Sequence, residues 1–99
     1  MNLFSFPDDA HWNEAVRAVE FGVAVGEYNG AVRVSRQVFQ RLLDHAVTPQ
    51  ACLEAYHLCR SEFERAAEMK LRRRALTDDG NVELTLRDLN IAGTWRALG

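Results

Sequence analysis

Cysteine is scarce in this chain, and the two that occur cannot bridge each other. Cys52 and Cys59 stand seven positions apart on an expected helix, a rise of about 10 Å that is out of disulfide reach. With no CxxC spacing and no histidine cluster beside them, they read as reduced, partly buried thiols, not as zinc or redox ligands. Histidine is as thin. His11, His45 and His57 include no pair at HxH or HxxxH spacing, so no metal site is expected. His57 and Cys59 point about 200° apart on a helical wheel, which separates the two partners of any Cys/His nucleophile.

Other absences narrow the function further. No phosphate-cradling glycine loop, nucleophile elbow or dinucleotide fingerprint occurs, and Asp78 and Asp79 lack the ligand spacing of a calcium loop. No catalytic residue, metal or cofactor is therefore expected. The opening "MNLFSFPDDAHW" has no basic region followed by an apolar stretch, and no apolar run approaches a membrane span. The expected location is the cytoplasm, with no membrane partner. Twelve Lys and Arg against fourteen Asp and Glu give a net charge of -2, so the molecule exerts no long-range pull on polyanions. Any basic site must be local.

What is present is clear hydrophobic patterning. Val19, Phe21, Val23 and Val25 alternate with Ala18, Glu20, Gly22 and Ala24 as a half-buried strand. It runs into "EYNGAV", where Asn29 and Gly30 suit a two-residue hairpin turn. That register sets Tyr28 opposite Ala31 and Val25 opposite Val34. Ser35 caps a short amphipathic helix carrying Val38, Phe39, Leu42, Leu43 and Ala46. Thr48 and Pro49 open a second helix, expected to run to about Ala75. Its buried stripe is Cys52, Tyr56, Cys59, Phe63, Ala66 and Ala67, and "TDDG" ends it. Val82, Leu84 and Leu86 alternate as a third strand.

The pattern predicts a two-layer α+β fold, order β-β-α-α-β, with an antiparallel sheet packed on two helices. Phe4 and Phe6 suggest a short leading strand stopped by Pro7, and residues 8 to 15 a turn of helix carrying Trp12. Residues 1–89 read as one domain. The segment 90–99 holds Ile91, Trp95 and Leu98 at helical spacing and reads as a tail, docked or disordered.

The segments "FSFPDDAHW", "AVEFGVAV", "VRVSRQVFQRLL" and "AYHLCRSEFERAA", in that order, resemble a small bacterial family called domain of unknown function 1488. The likeness spans roughly residues 4 to 87. It implies a compact single-domain α+β protein and brings no catalytic residue with it.

"KLRRR" is the strongest candidate contact, with Lys70, Arg72, Arg73 and Arg74 just before the expected helix end. On the wheel these cations encircle the helix, whereas a groove-binding helix gathers them on one face. Cations in a last turn also complement the helix dipole, so a helix terminus is the first reading. A polyanion or acidic protein partner is the second. Leu58, Met69 and Leu76 lie off the core stripe and, with Trp95, offer a self-association surface. The sequence thus favours a noncatalytic interaction or regulatory module, self-associating as a homodimer or meeting an unidentified protein. A weak nucleic-acid binder is the alternative, and a small enzyme with a subunit-shared site comes last.

Overall fold

The computed structural model describes residues 4–92. An antiparallel meander of β1 (His11–Asn13), β2 (Ala18–Val25) and β3 (Tyr28–Ser35) opens the fold. Three helices follow, α1 (Arg36–Leu42), α2 (Pro49–Leu58) and α3 (Arg60–Arg72), and then β4 (Val82–Leu84) and α4 (Leu86–Ala92). The sheet runs β1-β2-β3-β4. Its buried face, with Val19, Phe21, Val23, Val32, Val34, Val82 and Leu84, forms one core with Phe39, Tyr56, Phe63 and Leu89. This is the expected α+β class. One strand differs in sense, because β4 joins β3 in parallel and the sheet is mixed. The helices α1 to α3 form the crossover that parallel pairing needs, carrying the chain back to the end of the sheet where β3 began.

The hairpin forms three residues earlier than "NG" suggests. Val25 pairs with Tyr28, so Gly26 and Glu27 make the turn, and Val34 faces Val19 instead of Val25. Gly26 alone of the two turn residues has a positive φ, +59, as a II′ turn requires. A turn at Asn29–Gly30 would allow only five pairs up to and including Ser35, whereas the observed one aligns eight. Both registers keep the valines on one face, since they differ by an even step. Gly30 instead lies within β3 beneath the Tyr28 ring, where a Cβ would collide with the phenol.

At the N-terminus the leading segment makes a single antiparallel bridge between Ser5 and Ala24. The turn of helix placed at residues 8 to 15 is instead β1 and the turn after it. Asp9 explains the difference: its carboxylate accepts from the Gly22 N–H at 2.9 Å, taking the place of a backbone carbonyl along β2.

The helix expected from Pro49 to Ala75 is two helices. It starts as read, with Thr48 Oγ1 accepting from the Ala51 N–H at 3.0 Å, but breaks at Cys59 (φ −119°, ψ 34°). An unbroken rod of about 40 Å would overhang strands of eight residues, roughly 26 Å long. The break lets α2 lie over β1 and β2 while α3 crosses β4. Every member of the expected stripe, Cys52 through Ala67, is buried. Leu86, assigned to the last strand by alternation, opens α4 instead. Thr85 Oγ1 accepts from the Asp88 N–H and Asp88 Oδ2 from the Thr85 N–H, a reciprocal cap with aspartate in the usual glutamate position.

Candidate functional site

The basic run ends α3 in a Schellman motif. The Ala75 N–H donates to the Lys70 carbonyl at 3.1 Å and the Arg74 N–H to that of Leu71 at 2.9 Å. Arg74 takes the left-handed position, φ +56, where glycine is usual. The helix therefore stops before "TDDG", which forms the next turn around Gly80, φ +80.

The four cations diverge from this terminus. Lys70 Nζ donates to the Glu83 carbonyl at 2.6 Å and to Asp88 Oδ2 at 2.7 Å, with the Lys70 and Asp88 side chains only 17% and 10% exposed. Arg73 reaches Asp88 Oδ1 at 3.5 Å. Arg72 pairs with Glu68 at 3.2 Å and lies over the Phe4 ring, 5.3 Å from its centre. Arg74 sits in the cap. Burial pushes the Asp88 carboxyl up, but hydrogen bonds from Lys70 and Thr85 outweigh it and hold the group below its ordinary value. Lys70 and Arg73 thus tie the end of α3 to β4 and α4.

The apolar candidates are spread out. Leu58 is 76% exposed at the α2–α3 break, and Leu76 is 42% exposed beyond the cap. The thirteen residues of α3 separate them by about 20 Å, so they do not share one patch. Met69 is half-buried against the core. Trp95 lies outside the described residues. The tail boundary at residue 89 falls inside α4.

A concavity lined mainly by polar residues lies elsewhere, between the β1–β2 turn and α1. A groove of about 580 Å³ is lined by Val16, Arg17, Ser35, Arg36, Gln37 and Gln40. Arg17 is held there with φ +52, and its carbonyl accepts from the Arg36 N–H at 3.0 Å. This bond sets the two arginines side by side. Arg36 Nε donates to the Val47 carbonyl at 3.1 Å. Ser35 occupies the cap position of α1, but its hydroxyl makes no capping bond. No carboxylate lines the groove. The sequence carries no sign of it, because Arg17 and Arg36 are nineteen positions apart and neither belongs to a charge run. Ser35 and Gln37 also line a neighbouring groove of about 310 Å³ that carries Arg41 and Glu83.

Several groups with catalytic potential are sequestered or engaged. Burial raises the Cys52 and Cys59 thiols, Arg36 only partly offsetting it at Cys52, and both are free. Burial pushes the Tyr56 phenol up to about 12. Burial would also raise Glu20, but its bond to Arg33 at 2.7 Å, with Asn13 and His11, holds it low. His57 packs edge-on against Tyr56, ring centres 5.2 Å apart. Among the described residues no cluster of His, Cys, Asp and Glu could hold a metal, and no helix is long and apolar enough to cross a membrane.

The fold and groove together define a small two-layer α+β domain with a polar, cation-lined surface cleft. The chain belongs to the family described as "protein of unknown function (DUF1488)", whose model matches residues 4–84. That span begins where the sequence resemblance begins and stops just short of its expected end. A crystal structure of a protein of unknown function from the DUF1488 family of Shewanella loihica PV-4 is similar, with a TM-score of 0.73 and 17% identity. The match covers 82% of this chain and 90% of that one, and at this identity the likeness is one of fold. No curated protein matches.

Proposed function

We propose that the protein is a noncatalytic binding module that works through the groove between the β1–β2 turn and α1, in a reducing, cytoplasmic setting. The observation that carries this reading is the groove's composition. Two guanidiniums, two primary amides and one hydroxyl line it, with no carboxylate, thiol or imidazole among the lining residues. Such a set can hold an anion through charge-assisted hydrogen bonds but has no general base to activate the hydroxyl.

Exchange of chloride for sulfate at constant ionic strength tests the reading on the isotopically labelled full chain. The side-chain amide signals of Gln37 and Gln40 should shift saturably, together with the backbone signals of Arg17 and Arg36. Uniform, unsaturable drift would refute an anion site. Shifts centred on Lys70, Arg72, Arg73 and Arg74 would move the contact to the end of α3. A second reading, homodimerisation, is favoured by Leu58, which at 76% is the most exposed large apolar side chain among the described residues.

A further inference from the structure

The size and lining of the groove narrow the anion it fits. About 580 Å³ falls within the range of small-molecule sites, roughly 300–1,000 Å³. A nucleic acid fits it poorly. No aromatic side chain lines the groove to stack a base, and a net charge of -2 gives no long-range attraction for a polyanion. Val16 is its one apolar lining residue, so a ligand with a large hydrocarbon part would leave polar groups without partners.

The polar groups divide by chemistry along the groove. Arg17 and Arg36 are joined through their backbones at 3.0 Å and both line the cleft, where planar guanidiniums favour bidentate contact with phosphate. Gln37 and Gln40 stand three residues apart on α1, so their amides share one helix face. Each offers a donor and an acceptor, the complement of a hydroxyl. Ser35 adds a third hydroxyl-matching group beside them.

We propose that the groove binds a small phosphorylated polyol, its phosphate on Arg17 and Arg36 and its hydroxyls on Gln37, Gln40 and Ser35. This rests on the groove being the working surface and adds the class of ligand. Arg17 gives a clean probe, because at φ +52 a glycine relieves backbone strain while removing the guanidinium.

Calorimetric titration of the full chain with glucose 6-phosphate, glucose, inorganic phosphate and gluconate tests the proposal. Glucose 6-phosphate should bind at least about tenfold more tightly than glucose or inorganic phosphate, each of which meets only one group of side chains, and than gluconate, whose carboxylate carries less charge and fewer acceptor oxygens than a phosphate. Arg17→Gly should weaken that binding by about tenfold or more while the melting temperature holds or rises. Gln40→Leu, on an exposed helix position, should reduce glucose 6-phosphate to the level of inorganic phosphate. Unchanged binding in Arg17→Gly overturns the proposal. Equal binding of inorganic phosphate or gluconate overturns the ligand class and leaves an anion site standing. No binding of any of the four anions and sugars, with no response to sulfate, removes the groove reading as well.

Discussion

Two arginines sit in backbone conformations that suit glycine, and they do so for different reasons. Arg74 (φ +56) closes the α3 Schellman motif, and Arg17 (φ +52) turns the chain from β1 into β2. A left-handed arginine costs on the order of 1–2 kcal/mol, partly offset by the greater entropy that glycine loses on folding. Arg74→Gly should therefore stabilise the protein by about 0.5–1 kcal/mol, read as a higher urea midpoint at unchanged slope. A lower midpoint would mean that the Arg74 side chain makes a contact worth more than the strain. Neither position could be picked out from the sequence. Both are ordinary charged residues, and only the 6→1 and 5→2 bonds around Arg74, or the carbonyl that Arg17 offers to Arg36, disclose the geometry. The apolar residues were far more legible. Burial of Val19, Phe21, Val34, Tyr56, Phe63 and Ala67 follows from periodicities of two and 3.6, which survive any modest error in turn or boundary.

Among elements, the short α4 depends most on one charged group. Asp88 caps it, accepts from Lys70 and Arg73, and so links it to α3. Because its carboxyl is held below the ordinary 3.8, the associated stability is complete above that value and is lost as pH falls through the lower, folded value. Glu20, held below 4.5, acts in the same direction on the β1–β2–β3 surface. Melting temperature should therefore decline from about pH 4.5 downward, and in Asp88→Asn the decline should be shallower while the protein is less stable at neutral pH. A slope equal to wild type would remove Asp88 from the acid response. The element boundaries were the least legible part of the sequence. Leu86 continues a strand alternation, yet Thr85 and Asp88 convert it to a helix start. "NG" is a strong turn signal, yet "GE" aligns more of both strands. In each case local chemistry competed with pattern, and the arrangement satisfying more backbone groups prevailed.

For the whole molecule, the question is whether one copy or two is the working unit. A core of this size is thin, and Leu58 is left in solvent at 76%. Sedimentation equilibrium on the full chain and on Leu58→Ser should show a dimer that the substitution weakens, with equal thermal stability at dilutions where both are monomers, because the side chain is outside the core. A strict monomer at high concentration in both would end the homodimer reading. The architecture itself was readable from the order of strands and helices. The sense of the last strand was not, because alternation reports which face a residue occupies and says nothing about direction.

That last strand has a kinetic consequence. Val32 meets Val82 across the parallel ladder, so the fourth strand cannot be seated until some fifty intervening residues have been made and have folded back over the sheet. The β2–β3 hairpin needs only its own two-residue turn and is free to form first. Until β4 arrives, one edge of β3 carries open hydrogen-bonding groups, a template for pairing with another chain. A chain emerging from the ribosome passes through this interval every time. The speed with which the three helices close over the sheet then decides between a finished monomer and an aggregate.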